Sequence, residues 1–237
     1  ADSRTADIRF AVIQALGEAG DERAIPVLAE RLSDEEANVR REAMDVLLLF
    51  TAQELMHHRD RLMGQLAAYA QLWESNSPEA ILLIGNLDGR SRIAVLRDIK
   101  SKTYTSLEDM GGRAVLSPQM RKSARMALLK LRQAEASDEV RRMLRQGESV
   151  KDRADAIEAV EYAERVDFIQ ELVALLDDTR DAVNIAPSGG QYFLRVRDLA
   201  IDAISAISQR RFPFKTERGM RYTDAQAAQV RQLFGPG

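Results

Sequence analysis

The chain has 237 residues with no cysteine, 30% charged and 45% hydrophobic side chains, only 5% aromatics and a formal net charge of −3. Without Cys there are no disulfides, no thiol catalysis and no Cys-based zinc site. No apolar run approaches the roughly 18 residues of a membrane span, so a soluble protein is expected. Few aromatic and β-branched residues argue against a β-rich fold and suit Ala- and Leu-rich helices. The compartment stays open. The start at Ala1-Asp2-Ser3, without Met, fits a fragment of a longer protein or an exported mature chain.

Taken in order, residues 5–16 and 22–32 read as two helices separated by Gly17-Glu18-Ala19-Gly20-Asp21, where Gly ends one helix and Asp caps the next. Pro26 falls in the first turn of the second helix, where a missing N–H does little harm. Asp34 is expected to cap a third helix over Asn38-Val39-Arg40-Arg41-Glu42-Ala43-Met44-Asp45-Val46-Leu47. With Val39 as position zero, the residues at 0, +4, +7 and +8 share one helical stripe and Arg40 at +1 flanks it. The same register gives Ile8, Arg9, Val12, Ala15, Leu16; then Met120, Arg121, Ala124, Ala127, Leu128; then Val196, Arg197, Ala200, Ala203, Ile204. Asp152, Arg153, Ala156, Ala159, Val160 loses only the first aliphatic, and Glu79, Ala80, Leu83, Asn86, Leu87 lacks the Arg.

Successive +1 positions are 31, 40, 41, 32 and 44 residues apart, the length of a two-helix repeat. Small residues at +4 and +7 let neighbouring helices approach closely, so the stripe is expected to be buried between units. Residues 53–73 read as one long amphipathic helix, with Trp73 beside Tyr69 taken as core in preference to an exposed anchor. Ser77-Pro78-Glu79 and Ser117-Pro118 are start signals for further helices. The long connections 103–116 and 179–194 are read as loops on one edge, either a working edge or plugs for irregular packing. Phe212 and Phe214 lie in a loop expected to close the end of the core, and Thr223 to Gln226 is a capping box for a last helix.

Candidate chemistry is thin. His57 and His58 are neighbours about 100° apart on a helix, cannot grip one metal, and read as surface residues. Pro187-Ser188-Gly189-Gly190 precedes no Lys and reads as a plain turn more than an anion cradle. Asp152, Asp155, Glu158, Glu161 and Glu164 recur every three residues as a solvated face, with a basic partner or cation as the alternative. The repeated Arg is read as an inter-repeat ladder of ion pairs rather than a site. Charge alternates by block: 7 basic against 13 acidic in 1–60, 9 against 3 in 113–145, 3 against 10 in 152–182, and 8 against 4 in 191–237. Acidic blocks interrupt any continuous phosphate track, which disfavours nucleic acid.

Leu16 to Val46, with its Gly-Asp turn, Ala-Ile-Pro-Val-Leu helix, acidic turn and Val-Arg-x-x-Ala return, resembles the HEAT-like repeats also found in phycobilisome (bilin) lyases. The resemblance implies an all-α, right-handed α-α superhelix: a HEAT-like solenoid of about six two-helix repeats with an atypical C-terminal cap. Taken as one domain over 1–237, the repeats fall at about 5–34, 35–75, 77–102, 117–147, 149–178 and 194–235. The function it implies is a non-enzymatic scaffold that binds a protein or peptide on a concave face lined by the second helices and on the loop edge, without a cofactor. Arg141, Arg142 and Arg145, with Tyr104 and Tyr192 of the two loops, are the candidate partner-binding residues. A tetrapyrrole-handling enzyme of the bilin lyase kind is the alternative, and a DNA-binding HEAT-like protein a third reading.

Overall fold

In the computed structural model the described residues are 3–70, 72, 77–87, 92–101, 118–147, 149–185 and 192–235. The chain is all-α among them, apart from one two-stranded ribbon. It divides into two compact units, residues 1–128 and 129–237, with the boundary inside one helix. Trp73, Tyr104, the 103–116 connection, Ser117 and the Pro187 to Gly190 turn lie outside the described residues.

In the first unit α1 (Ser3–Ala19) is followed by a 3-10 turn (Glu22–Ala24) that runs into α2 (Ile25–Arg31). Asp21 caps that turn by accepting from the Arg23 N–H, and Pro26 sits in the first turn of α2, where no N–H is needed. Next come α3 (Ala37–Leu47), α4 (Ala52–His57), α5 (Arg59–Tyr69), α6 (Pro78–Asn86) and α7 (Arg92–Ser101). First helices pack on first helices and second on second: α1 lies against α3, and α2 against both α3 and α5. The stripe of α3 behaves as its spacing requires, with Val39, Ala43 and Leu47 wholly buried. Gly17 shows how close α1 and α3 come, since a Cβ there would stand 3.1 Å from both methyls of Val46.

Three expectations change here. The predicted long helix is broken at His58, whose backbone (φ −110°, ψ 14°) ends α4 and starts α5. Asp34 does not cap α3 directly, because Glu36 holds that position; its Oδ1 instead accepts from the Glu36 N–H at 3.1 Å and shapes the turn before it. The first copy of the stripe is not buried: Ile8 is 59% and Val12 50% exposed, and Ala15 is exposed too. In α1 the opposite side, Ala6 and Ile13, carries the packing.

The tail of α8 (Pro118–Lys130) leads into the second unit, made of α9 (Ala134–Gln146), α10 (Val150–Tyr162), a 3-10 turn (Val166–Phe168), α11 (Ile169–Val173), α12 (Val196–Ser208) and α13 (Asp224–Phe234). Here α10 packs on α9 and α12, and α11 on α9, α12 and α13. Val196, Ala200, Ala203 and Ile204 of α12 are all completely buried. Residues 179–194 are not a plain loop. β1 (Asp181–Ile185) and β2 (Tyr192–Arg195) form an antiparallel pair with Val183 opposite Leu194, Asn184 opposite Phe193, and an irregularity between Asp181 and Val183.

Four of the first helices end on a left-handed residue, Gly20 (φ 60°) after α1, Arg132 (φ 54°) after α8, Glu164 (φ 52°) after α10 and Gln209 (φ 54°) after α12, whereas α3 and α6 do not. The C-terminal loop closes the core. Phe212 stands 5.6 Å from Phe214 and 5.8 Å from Phe234, and Phe214 stands 5.9 Å from Tyr222, ring centre to ring centre.

Candidate functional site

The repeated Arg is the first functional candidate, and its partners show what it does. Arg9 grips Asp34 through two bonds of 2.9 Å, from Nε to Oδ2 and from Nη2 to Oδ1. Arg153 reaches Asp178, again 25 residues on, through a single bond from Nη1 to Oδ2. Each aspartate also accepts from the N–H two residues later, Glu36 at 3.1 Å and Arg180 at 3.2 Å. Arg40 donates to the carbonyls of Asp34 at 2.6 Å and Glu35 at 2.9 Å, and Arg197 to Asp224 and to the Tyr222 carbonyl. The expected ladder is therefore a set of clasps from a first helix to a turn or helix start that follows a second helix or leads into one. Burial pushes Asp34 up, but the hydrogen bonds from Arg9, the Glu36 N–H and Arg31 outweigh it and hold the carboxyl below its ordinary value. Arg180, then Arg153, holds Asp178 down at about 2 despite burial.

The three arginines of α9 meet the 3-10 turn and α11. Arg141 donates to Asp167 at 3.2 Å, stands 3.3 Å from Glu171 and lies over the Phe168 ring at 4.6 Å. Arg145 donates to the same Glu171 oxygen at 2.9 Å while keeping 65% of its side chain exposed. Arg142 is exposed. Arg165, buried, donates twice to Asp167 at 2.7 Å and to the Leu129 carbonyl at 3.0 Å, with its guanidinium 5.1 Å from Phe168. Phe168 is thus a fully buried ring with two guanidiniums over it, each worth about 1 kcal/mol.

Beyond Asp167 the surface opens into a groove of about 500 Å³ between α11 and α13, lined by Val166, Asp167, Gln170, Arg210, Leu233 and Phe234 among others. Gln170 ties its rim by donating to the Phe234 carbonyl at 2.8 Å. Val166 is 56% and Leu233 40% exposed, two aliphatics left in water on one groove. Arg210 lies 5.3 Å over the Phe234 ring. Tyr192 is elsewhere: its hydroxyl donates to the Gly219 carbonyl at 2.6 Å, pinning β2 to the C-terminal segment, and no hydrogen bond or ion pair among the described residues joins it to Arg141, Arg142 or Arg145. The groove residues lacked any motif. Their only signal was the 3-10 turn repeated ten residues before each turn aspartate, at Ala24 and Phe168.

A polar cluster supports the cap of the same unit. Asp198, completely buried, accepts from Arg195 at 2.8 and 2.9 Å and from the Tyr222 N–H at 3.0 Å. Asp202 accepts from the Tyr222 hydroxyl at 2.6 Å and the Gly219 N–H at 3.0 Å. Burial raises Asp202 above the ordinary carboxylate value, against those two bonds, with Glu161 and Asp198 adding to the rise. Of the acidic run on α10 and the turn after it, Glu158 and Glu164 are exposed while Asp152, Asp155 and Glu161 are half-buried; Asp155 pairs with Lys151 at 2.9 Å and Glu161 lies 3.6 Å from Arg218. His57 is exposed, 3.3 Å from Glu22. No described helix is long and apolar enough to cross a membrane.

Compared with known proteins, residues 1–49 match a family model of HEAT repeats. The match does not extend to the bilin-lyase subtype. No curated protein and no solved structure matches the chain. HEAT repeats are in general protein-interaction scaffolds.

Proposed function

Since the chain is a HEAT-like repeat protein, we propose that it is a non-enzymatic scaffold whose second-helix face, α9, α11 and α13 in the unit 129–237, holds an extended or helical peptide of a protein partner. One observation carries this reading: the groove beside Asp167 is lined by the exposed aliphatics Val166 and Leu233 together with the polar Gln170 and Arg210. Apolar anchors rimmed by polar groups are the anatomy of a peptide interface. Arg142 and the exposed part of Arg145 supply charge that steers an acidic segment towards the groove. Arg141 serves differently, by holding Asp167 and Glu171 in place. Tyr192, on the ribbon, belongs to a separate part of the surface.

Selection of a displayed peptide library on the folded chain tests the reading. Peptides that bind the natural chain are expected to lose at least about tenfold in affinity on Leu233→Glu or Val166→Glu, and to lose on-rate at low salt with Arg142→Glu. Peptides that bind all three variants unchanged would remove the groove from the proposal.

A further inference from the structure

The first unit holds a pocket of its own. It measures about 290 Å³ and lies where the ends of α2 and α5 meet the start of α3, walled by Leu32, Ala68 and Leu72 and by the polar Ser33, Asp34, Arg40 and Tyr69. Most of those polar groups are engaged. Ser33 donates to Gln65 of α5 at 2.5 Å. The Asp34 carboxylate accepts from Arg9, Arg31 and the Glu36 N–H, and Arg40 donates to the Asp34 and Glu35 carbonyls. Tyr69 differs: it is 2% exposed, yet its hydroxyl makes no hydrogen bond to another described residue. A buried hydroxyl without a partner costs the fold, and an occupant of the pocket that accepts from it removes that cost.

Packing between second helices does not ask for this tyrosine. In the second unit Arg231 of α13 pairs with Asp177 at 2.8 Å, one residue before Asp178, as Gln65 of α5 pairs with Ser33, one residue before Asp34. Four residues beyond Arg231 the chain has Gly235, and four residues beyond Gln65 it has Tyr69. The same helix contact therefore closes without any side chain at that place, which leaves the Tyr69 ring and hydroxyl to the pocket.

We propose that this pocket anchors one large apolar side chain of a partner peptide, with the Tyr69 hydroxyl donating to the main-chain carbonyl of the anchored residue. The proposal rests on the scaffold reading for the nature of the partner and on none of the residues of the groove. Size sets the class of occupant. A dry cavity of about 150 Å³ already holds a benzene ring, so 290 Å³ takes one ring or branched aliphatic with its adjoining amide, at the lower end of the range for ligand pockets. Charge sets the head group. Asp45 and Glu79 act on the hydroxyl against Arg41 and Arg40, two acids opposed by two bases, so the site favours neither an anion nor a cation. Burial raises the hydroxyl above its ordinary value, and it stays a donor at neutral pH. At the mouth Ala68 is exposed and Leu72 is 37% exposed, so an occupant enters while still attached to a chain.

Titration followed by NMR of the Ala68 and Leu72 methyl groups tests the site with acetyl-Phe-amide, with toluene, which has the ring and no carbonyl, and with acetyl-Gly-Gly-Phe-Gly-Gly-amide. All three are expected to shift these methyls at millimolar concentration. Tyr69→Phe, which removes only the oxygen, is expected to weaken both amides about fivefold and to leave toluene unchanged. Ala68→Leu fills the mouth from an exposed position and is expected to weaken all three at least about tenfold with helical circular dichroism unchanged. Leu233→Glu, in the groove of the other unit, is expected to change none of them. The proposal is overturned by absence of any shift at Ala68 and Leu72, by amides that bind Tyr69→Phe as well as the natural chain, or by toluene weakened as much as the amides. Binding lost on Leu233→Glu overturns it by placing the probes in the groove, and acetyl-Phe-amide binding far tighter than the pentapeptide overturns it in favour of a free small molecule. The groove is judged by its own peptides and stands or falls separately.

Discussion

Asp178 and Asp202 lie in one unit and answer to pH in opposite senses. The Arg180 and Arg153 guanidiniums hold Asp178 at about 2, below its ordinary 3.8. Its ionised form therefore stabilises the fold above the ordinary value, and that contribution is lost as pH falls from about 4 through about 2. Burial holds Asp202 above 3.8. Its contribution is present below that value and is lost as pH rises through the raised one, with hydrogen bonds from the Tyr222 hydroxyl and the Gly219 N–H opposing the rise. Urea midpoints measured against pH separate the two: Asp178→Asn is expected to flatten the acid side of the profile, and Asp202→Asn to remove the decline on the other side. Asp34, with a side chain 3% exposed and gripped twice by Arg9, gives a plain stability test. Asp34→Ala is expected to cost about 1 to 3 kcal/mol in chemical unfolding, because it leaves a half-buried guanidinium and a turn N–H without their acceptor.

At the scale of the element, the same substitution at the same register should have two outcomes. Ala43→Leu on α3 forces three extra carbons into a fully buried contact and is expected to cost about 1 to 3 kcal/mol. Ala15→Leu on α1 meets solvent and is expected to fall within about 0.5 kcal/mol of the natural chain at micromolar concentration. Thermal unfolding of both variants measures the difference. Gly85 sets a stricter limit, for a Cβ there would lie 2.7 Å from the Cβ of Ala127, so Gly85→Ala must push α6 and α8 apart. Element boundaries show where sequence was legible. The caps at Ser77 and Thr223 act as their residue types require, because the side-chain oxygen meets an N–H three residues on. The break at His58 carried no Gly or Pro to announce it, and apolar residues keep helical spacing on both sides. The ribbon did leave a trace, with Val183 opposite Leu194 and Ile185 opposite Tyr192 across a Pro and two Gly, a hairpin pattern that was overridden by the all-helical context.

For the whole chain, periodicity carried the architecture because burial between helices repeats at the spacing of the register, and α3 and α12 obey it to the residue. The clasps were legible in part: the acidic turn beside each Arg was visible, but not that Asp178, 25 residues after Arg153, copies Asp34. The groove was not, since it depends on where a 3-10 turn places Val166 against Leu233, which lie far apart in sequence and match no motif. Alternating charge also makes a prediction at this scale. Acidic blocks separate the basic ones, so immobilised duplex DNA is expected to release the chain even at about 50 mM salt, and steeply salt-dependent retention would count against the scaffold reading.

The left-handed residues after the first helices are a reserve of stability. An L side chain in that conformation costs about 1 kcal/mol or more, and Gly20 alone avoids it. Exchanging Arg132, Glu164 and Gln209 for glycine relieves the backbone at three points and gives back part of the gain as freedom in the unfolded chain, leaving about 0.5 kcal/mol each. The three together are expected to raise the melting temperature by a few degrees without replacing any residue that lines the groove.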